Sequence, residues 1–256
     1  MPLTGGTLAA LVASAAGAGV MNSLAGGGTL LTFPVLILLG EPAICANATS
    51  TVALLPGAAA SMAGYRREVR THRAWLTKLA LPSLLGGGLG SVLLLKTPEE
   101  VFARLAPYLI LFATVLFLLQ MVLAKKLEEG HDAPRAPSRL AVAWIAQFGV
   151  ALYGGYFGAG IGILMLVILG FLGLSDIHAM NGLKNFFGMC INGVAAAYFI
   201  AKGAVNWPYA LVMLAGAIVG GYAGARFARR IGKDKARIAV VVIGFSIAAM
   251  LFLQRA

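Results

Sequence analysis

Charge is what this 256-residue chain lacks most: 11% of its residues are Asp, Glu, Lys or Arg, against roughly 25% in a soluble globular domain. Carboxylates are the scarcest charged groups, nine in all. No Lys or Arg precedes Arg66, so the basic start of a secretory signal is missing and residues 1–40 read as mature membrane structure. There are two cysteines, Cys45 and Cys190, both in apolar surroundings, where core thiols are expected rather than a disulfide. The chain also lacks the ten-residue alternating segments of a transmembrane β-barrel. Neither H-E-x-x-H nor G-x-S-x-G occurs, and there is no G-x-x-x-x-G-K-[ST]. An enzyme is therefore not expected, nor an ATP-driven pump within the chain. No cofactor or metal is implied.

What is present is apolar. Residues of the A, V, I, L, M, F, W, Y and C set make up 60% of the chain, and mean hydropathy is +0.88. A water-soluble protein and a disordered chain are both excluded. Glycine is abundant, 33 residues, which in a bilayer suggests close helix packing and interrupted helices. The fold class expected is an all-α polytopic membrane protein.

A helix needs about 20 apolar residues to cross the hydrocarbon core. Full-length spans are expected at 43–65, 76–95 and 101–123, and again at 177–200, 207–227 and 236–254. Each set is preceded by an apolar region with a glycine-rich break. Residues 7–40 are interrupted at 22–28, NSLAGGG, and residues 140–174 at 154–160, GGYFGAG. The stretch 125–139, KKLEEGHDAPRAPSR, is strongly polar and marks a boundary. It divides the chain into a first repeat, 1–124, and a second, 140–256. The halves look like copies: Ile44 and Ile177, Tyr65 and Tyr198, and Gly88 and Gly221 all lie 133 residues apart.

The net charge of +11 sits mainly in three places. These are Arg66, Arg67, Arg70, Arg73 and Lys78; Lys125, Lys126, Arg135 and Arg139; and Arg226, Arg229, Arg230, Lys233, Lys235 and Arg237. Such short basic loops face the cytoplasm, which explains the excess better than nucleic acid does. The first basic loop follows the 43–65 span, whereas its counterpart near 201–207 holds only Lys202. The repeats are thus expected in opposite orientation. Regions 7–40 and 140–174 each then contribute an even number of crossings, as a re-entrant pair of half-helices or as two short spans. Both termini are expected outside. Inverted-topology repeats, each with a broken or re-entrant helix pair plus three full spans, are a signature of secondary transporters. Their sites lie near the midplane at the repeat interface.

Irregular backbone at membrane depth survives only where protein buries it or a watery cavity meets it, so the two breaks point to the site. Helices starting at Gly28 and Gly160 would offer backbone N–H groups to an anion, although small residues can also serve packing alone. Nearby polar groups are Asn22, Ser23, Thr29, Thr32, Asn47, Thr49, Ser50 and Thr51 in the first half. In the second they are Asn181, Lys184, Asn185 and Asn192. Two readings of Lys184 stand: an anion ligand, or a lysine near a helix start that snorkels to the surface. Asn47, Thr49 and Ser50 could bind ligand or cap and pack helices. Gln120, Gln147 and Asn192 read as packing groups. Glu41 and Asp176 occupy equivalent joints, and His178 beside Asp176 could titrate near neutrality.

The segments NSLAGGGTLLTFP (22–34) and ANATST (46–51), with GGYFGAGIG (154–162) and AMNGLKN (179–185), resemble the sulfite exporter TauE/SafE family over nearly the whole chain. The resemblance implies a prokaryotic inner-membrane permease for a small anion such as sulfite, thiosulfate or sulfoacetate. It implies site candidates Asn22, Gly26, Gly27, Gly28, Asn47, Thr49 and Ser50 in the first half. In the second these are Gly158, Gly160, Asn181, Lys184 and Asn185. The second copy has Asn181 to Lys184 where the first has Ala48 to Thr51, so any shared ligand would be held asymmetrically. Export by alternating access is the main expectation. An anion channel, or a membrane sensor or assembly partner, are the alternatives. The partners implied are a small anion and the bilayer, with a homodimer left open and no nucleic acid.

Overall fold

The computed structural model describes residues 4–24, 26–64, 73–128, 137–174 and 176–227, together with 241, 242, 244–246 and 248–250. The elements are helices α1 (Gly5–Leu24), α2 (Thr29–Leu38), α3 (Ala43–Gly64), α4 (Arg73–Lys96) and α5 (Glu99–Glu128). They continue with α6 (Pro137–Tyr156), α7 (Ile161–Phe171), α8 (Ile177–Ala201) and α9 (Trp207–Phe227). Among the described residues five stretches, in α1, α4, α5, α8 and α9, are long and apolar enough to cross a membrane, and the apolar part of α3 is shorter. The chain is a multi-pass membrane protein. Expected spans at 43–65, 76–95, 101–123, 177–200 and 207–227 correspond to α3, α4, α5, α8 and α9. Most of the span at 236–254 lies outside the described residues, as do most of the basic loops.

One expectation is corrected, the extent of the linker. The regions before each set of spans are broken helix pairs with one piece about a dozen residues long, as expected. Each is a 20-residue helix, α1 or α6, followed by a short one of 10 residues in α2 and 11 in α7. At 1.5 Å per residue the long member reaches about 30 Å, the depth of the hydrocarbon core, and the short member about half of it. Asn22, Ser23 and Leu24 stay helical, because the strained backbone is confined to the glycines that follow. The linker is shorter than 125–139: α5 continues to Glu128 and α6 begins at Pro137. Proline is tolerated in a helix's first turn, where its missing N–H costs no bond.

The packing interleaves the two halves. α1 lies along α9 and α6 along α4, while α3 packs on α9 and α8 on α4; α3 and α8 meet between them. Exchanging each element for its counterpart in the other half leaves this pattern of neighbours unchanged. Glycine makes the crossings close. A Cβ on Gly19 would stand 2.5 Å from the Ala217 carbonyl oxygen, and one on Gly86 2.5 Å from that of Phe148. Gly90 and Gly155 meet the facing backbones of α6 and α4, and Gly220 meets that of α1. With no hydrophobic drive between helices in lipid, such backbone-close van der Waals contact is what holds them. The outward side chains of α4 and α5, such as Leu85, Leu89, Tyr108 and Phe112, are exposed, as a lipid-facing surface requires.

One end of the bundle is tied together by polar bonds. Glu99 at the start of α5 accepts the backbone N–H groups of Ala43 and Ile44, capping α3. Glu41 accepts from Asn206 Nδ2 at 2.8 Å, and the Asn206 backbone N–H donates to Thr49 Oγ1 at 2.9 Å. Thr97 Oγ1 and the Tyr156 hydroxyl are 3.3 Å apart. The α2–α3, α4–α5 and α8–α9 joints therefore share one end, and the Tyr156 hydroxyl reaches it from the end of α6, whose backbone lies level with Gly90.

Candidate functional site

The two breaks touch each other. A Cβ on Gly26 would lie 3.1 Å from Gly162 Cα, and one on Gly27 3.2 Å from Gly160 N. Gly27 has φ +115° and Gly160 φ +77°, values that side-chain-bearing residues rarely adopt. The ring of Phe117 on α5 leaves no room for a Cβ at Gly27. The breaks are built alike: Gly26 N–H donates to the Met21 carbonyl and Gly158 N–H to that of Tyr153. The Tyr153 hydroxyl further ties the second break by donating to the Ala159 carbonyl at 2.8 Å.

Beside this junction is a cavity of about 50 Å³. On the same measure one water needs about 10–15 Å³, so the space suits an ion of a few heavy atoms. Asn22, Gly26, Gly27 and Thr29 line it from the first break, with Thr51, Leu54 and Ala58 from α3. Gly158, Ile161, Gly162 and Met165 come from the second break and α7, and Lys184, Asn185, Gly188 and Asn192 from α8. Lys184 is the charged residue of this wall, and its side chain is 2% exposed. Seven residues into α8, it stands about 10 Å from the helix start. The snorkelling reading is therefore corrected, because the side chain goes to the cavity rather than to the surface. Positions 184, 188 and 192 follow the four-residue step that stacks side chains on one helix face.

The sequence candidates divide. Asn22, Gly26, Gly27, Gly158, Lys184 and Asn185 reach the wall. Gly28, Asn47, Thr49, Ser50, Gly160 and Asn181 stand off it. Gly160 begins α7 and Asn181 precedes Lys184 by one turn. Asn47 Nδ2 donates to the Tyr156 carbonyl at 3.2 Å, and Thr49 receives the Asn206 N–H. Ser50 bonds Thr32 at 2.6 Å, joining α3 to α2. These three hold helices together.

Asn22 Oδ1 accepts the N–H groups of Gly27 at 3.0 Å and Gly28 at 2.8 Å, just before α2. In the second break Gly154 and Gly155 stand at the position equivalent to Asn22, and the residue before α7 is Gly160. Neither Gly28 nor Gly160 brings a side chain to cap its helix.

Sequence reasoning weighed Thr51 beside Asn47, Thr49 and Ser50, but it left Thr29, Thr51 and Asn192, all on the wall, out of the site. Thr51 is the 133-residue counterpart of Lys184, and Asn192 lies on Lys184's own stripe, so both signals were available. Gln147 does act as a packing group, donating to Ser83 Oγ at 2.9 Å between α6 and α4. Cys45 and Cys190 are free thiols. Glu41 is bonded at the tied end and Asp176 is exposed, so neither reaches the cavity. The side chains of His178 and Gln120 lie outside the described residues.

Phe33 of α2, Phe102 of α5 and Phe157 of the second break are all buried and form one aromatic cluster. Their ring centroids are 5.4 Å apart for Phe33 and Phe157, and 6.3 Å for Phe33 and Phe102. Phe33 lies midway along α2, between the cavity and the tied end, and Phe102 is one turn below Glu99. The cluster therefore fills the space between the cavity and that end with buried rings. Counting down α8 from Ala201, Asn192 is about 14 Å and Lys184 about 25 Å below it. The cavity thus runs from near mid-depth toward the opposite end.

Several known proteins are similar over almost their full length. A "Probable membrane transporter protein" of Haemophilus influenzae is 28% identical over 240 residues, covering 91% of this chain and 90% of that one. The "Probable membrane transporter protein YfcA" of Escherichia coli is 29% identical over 242 residues, covering 91% and 85%. A "Probable membrane transporter protein ORF9" of a Sinorhizobium species is 26% identical over 246 residues, covering 95% and 92%. The profile of one family, "Sulfite exporter TauE/SafE", matches residues 11–251, which includes both breaks, α8 and every residue of the cavity wall. With that match the chain belongs to the sulfite exporter TauE/SafE family and is a membrane transporter, not an enzyme.

Proposed function

We propose that the protein is a secondary transporter that carries a small anion, a sulfur oxyanion or organosulfonate such as sulfite, thiosulfate or sulfoacetate. It exports the anion by alternating access across the prokaryotic inner membrane. The observation that carries this reading is Lys184, a buried cation on the wall of a cavity that both helix breaks enclose. A lysine on a cavity wall that also carries asparagines and threonines offers a small anion charge-assisted and neutral donors together. The starts of α2 and α7, where Gly28 and Gly160 bring no side chain, add backbone donors and positive dipole ends.

The transport cycle rests on the repeats being inverted, which the basic loops and the exchangeable pattern of helix neighbours support. By the same loops the tied end faces outside, as do both termini, and the aromatic cluster closes the outer side. An inside-negative potential drives a monovalent anion outward at ~2.3 kcal/mol per 100 mV, so export needs no ATP. No carboxylate reaches the cavity among the described residues, which favours uniport over proton or sodium coupling.

The test is flux of sulfite, thiosulfate, sulfoacetate and lactate in proteoliposomes, with wild type and Lys184→Ala. Saturable flux of a sulfur oxyanion with counterflow, reduced at least about tenfold in the variant, is expected. One charge-assisted bond lost accounts for a change of that size. Saturable flux without counterflow would replace the carrier by a channel. Undiminished flux in the variant removes Lys184 from the site. No flux of any anion under an imposed potential overturns the anion reading.

A further inference from the structure

Asn22 combines two observations. It lines the cavity, and its amide orientation is dictated by the break. Two backbone N–H groups, those of Gly27 and Gly28, point at one side-chain atom. That atom must be the acceptor, the carbonyl oxygen Oδ1. The polar atom left for the cavity is then Nδ2, which carries only donors. A freely turning asparagine can offer either end of its amide to a ligand, but this one cannot reverse without setting its NH₂ against two N–H groups.

The geometry points to Asn22 as a specificity-determining residue of the anion site. It takes up the N–H groups at the start of α2 on one side and presents an NH₂ to the ligand on the other. This rests on the anion reading above. The second break has glycine at the equivalent position and offers no such amide. With Lys184 on the same wall, the cavity meets its ligand with donors from both halves. It selects an anion whose oxygens accept on more than one side, and it rejects a ligand that must itself donate there.

Asn22→Asp isolates the role. A carboxylate keeps the cap, because one oxygen still accepts both N–H groups and does so with charge assistance. Its second oxygen puts an acceptor where the NH₂ stood. Asn22→Ala removes cap and donor together. The measurement is thermal unfolding of the purified full-length chain in detergent. It is titrated with sodium thiosulfate or sodium sulfite against sodium chloride at equal ionic strength.

Wild type is expected to be stabilised by a sulfur oxyanion. Asn22→Asp should unfold at the wild-type temperature or above without the anion, yet bind it at least tenfold more weakly. Asn22→Ala should unfold earlier and also bind weakly. Wild-type affinity in Asn22→Asp, with loss confined to Asn22→Ala, would make Asn22 a cap alone and overturn the inference while leaving the anion site standing. No stabilisation of wild type by either anion would overturn the anion reading and this inference together. If Asn22→Asp does not fold, Asn22→Ser supplies the neutral comparison. It is too short to reach both N–H groups and the ligand, so wild-type affinity there also overturns the inference.

Discussion

At the scale of single residues, the glycines of the two breaks are not equivalent, although the sequence writes them alike. Gly27 combines φ +115° with a phenyl ring 2.5 Å from where a Cβ would stand. Gly160 has φ +77° but ordinary space, with its nearest neighbour 3.5 Å away. Gly160→Ala is expected to cost about 1–2 kcal/mol, the strain of the left-handed conformation alone. Gly27→Ala adds displacement of Phe117 and should cost more than that strain alone. Thermal unfolding of the two variants side by side checks the order. The sequence made the breaks and Lys184 legible, because a glycine run and a lone cation are out of place in an apolar helix. It did not separate Ser50 from Thr51. Neighbouring residues on a helix point about 100° apart, and only the direction of α3's packing decides which one meets the cavity and which one meets Thr32.

At the scale of helices, the crossings of α1 with α9 and of α4 with α6 rest on backbone contact at glycine. Gly90 meets the α6 backbone, whereas two residues earlier Gly88 has only Val194 Cγ1 at 4.0 Å. Gly90→Val should therefore abolish folded, monodisperse protein on size-exclusion chromatography, and Gly88→Val should leave it nearly intact. Overpacking against backbone cannot be relieved by a rotamer change. Helix positions were readable in advance for α3, α4, α5, α8 and α9, because run length and hydropathy set a span. So was the pairing of a long helix with one of about a dozen residues before each set, from where the glycines fall. Composition marks a break, but not the last hydrogen-bonded turn of a helix. The trimmed linker has a similar cause: Lys125 to Glu128 are polar yet helix-compatible, so composition ends the span before the hydrogen bonding does.

At the scale of the whole molecule, the tied end and the aromatic cluster join the halves through Glu41, Asn206, Thr49 and Tyr156. A carrier that works by alternating access must part these contacts once per cycle. With the native cysteines replaced, Glu41→Cys and Asn206→Cys joined by a short bifunctional thiol reagent should stop exchange in liposomes. Anion binding should persist, because the cavity lies toward the other end. Continued exchange after complete cross-linking would mean that this end does not open. The cavity's charge has a further consequence for kinetics. If Lys184 carries its charge through an exporter's cycle, the empty carrier returns with a positive charge and the carrier loaded with a monovalent anion crosses neutral. Voltage would then act on the return stroke rather than on the delivery stroke. Turnover should remain voltage-sensitive at saturating substrate, and for a divalent anion the loaded stroke becomes electrogenic too, with a current of the same sign.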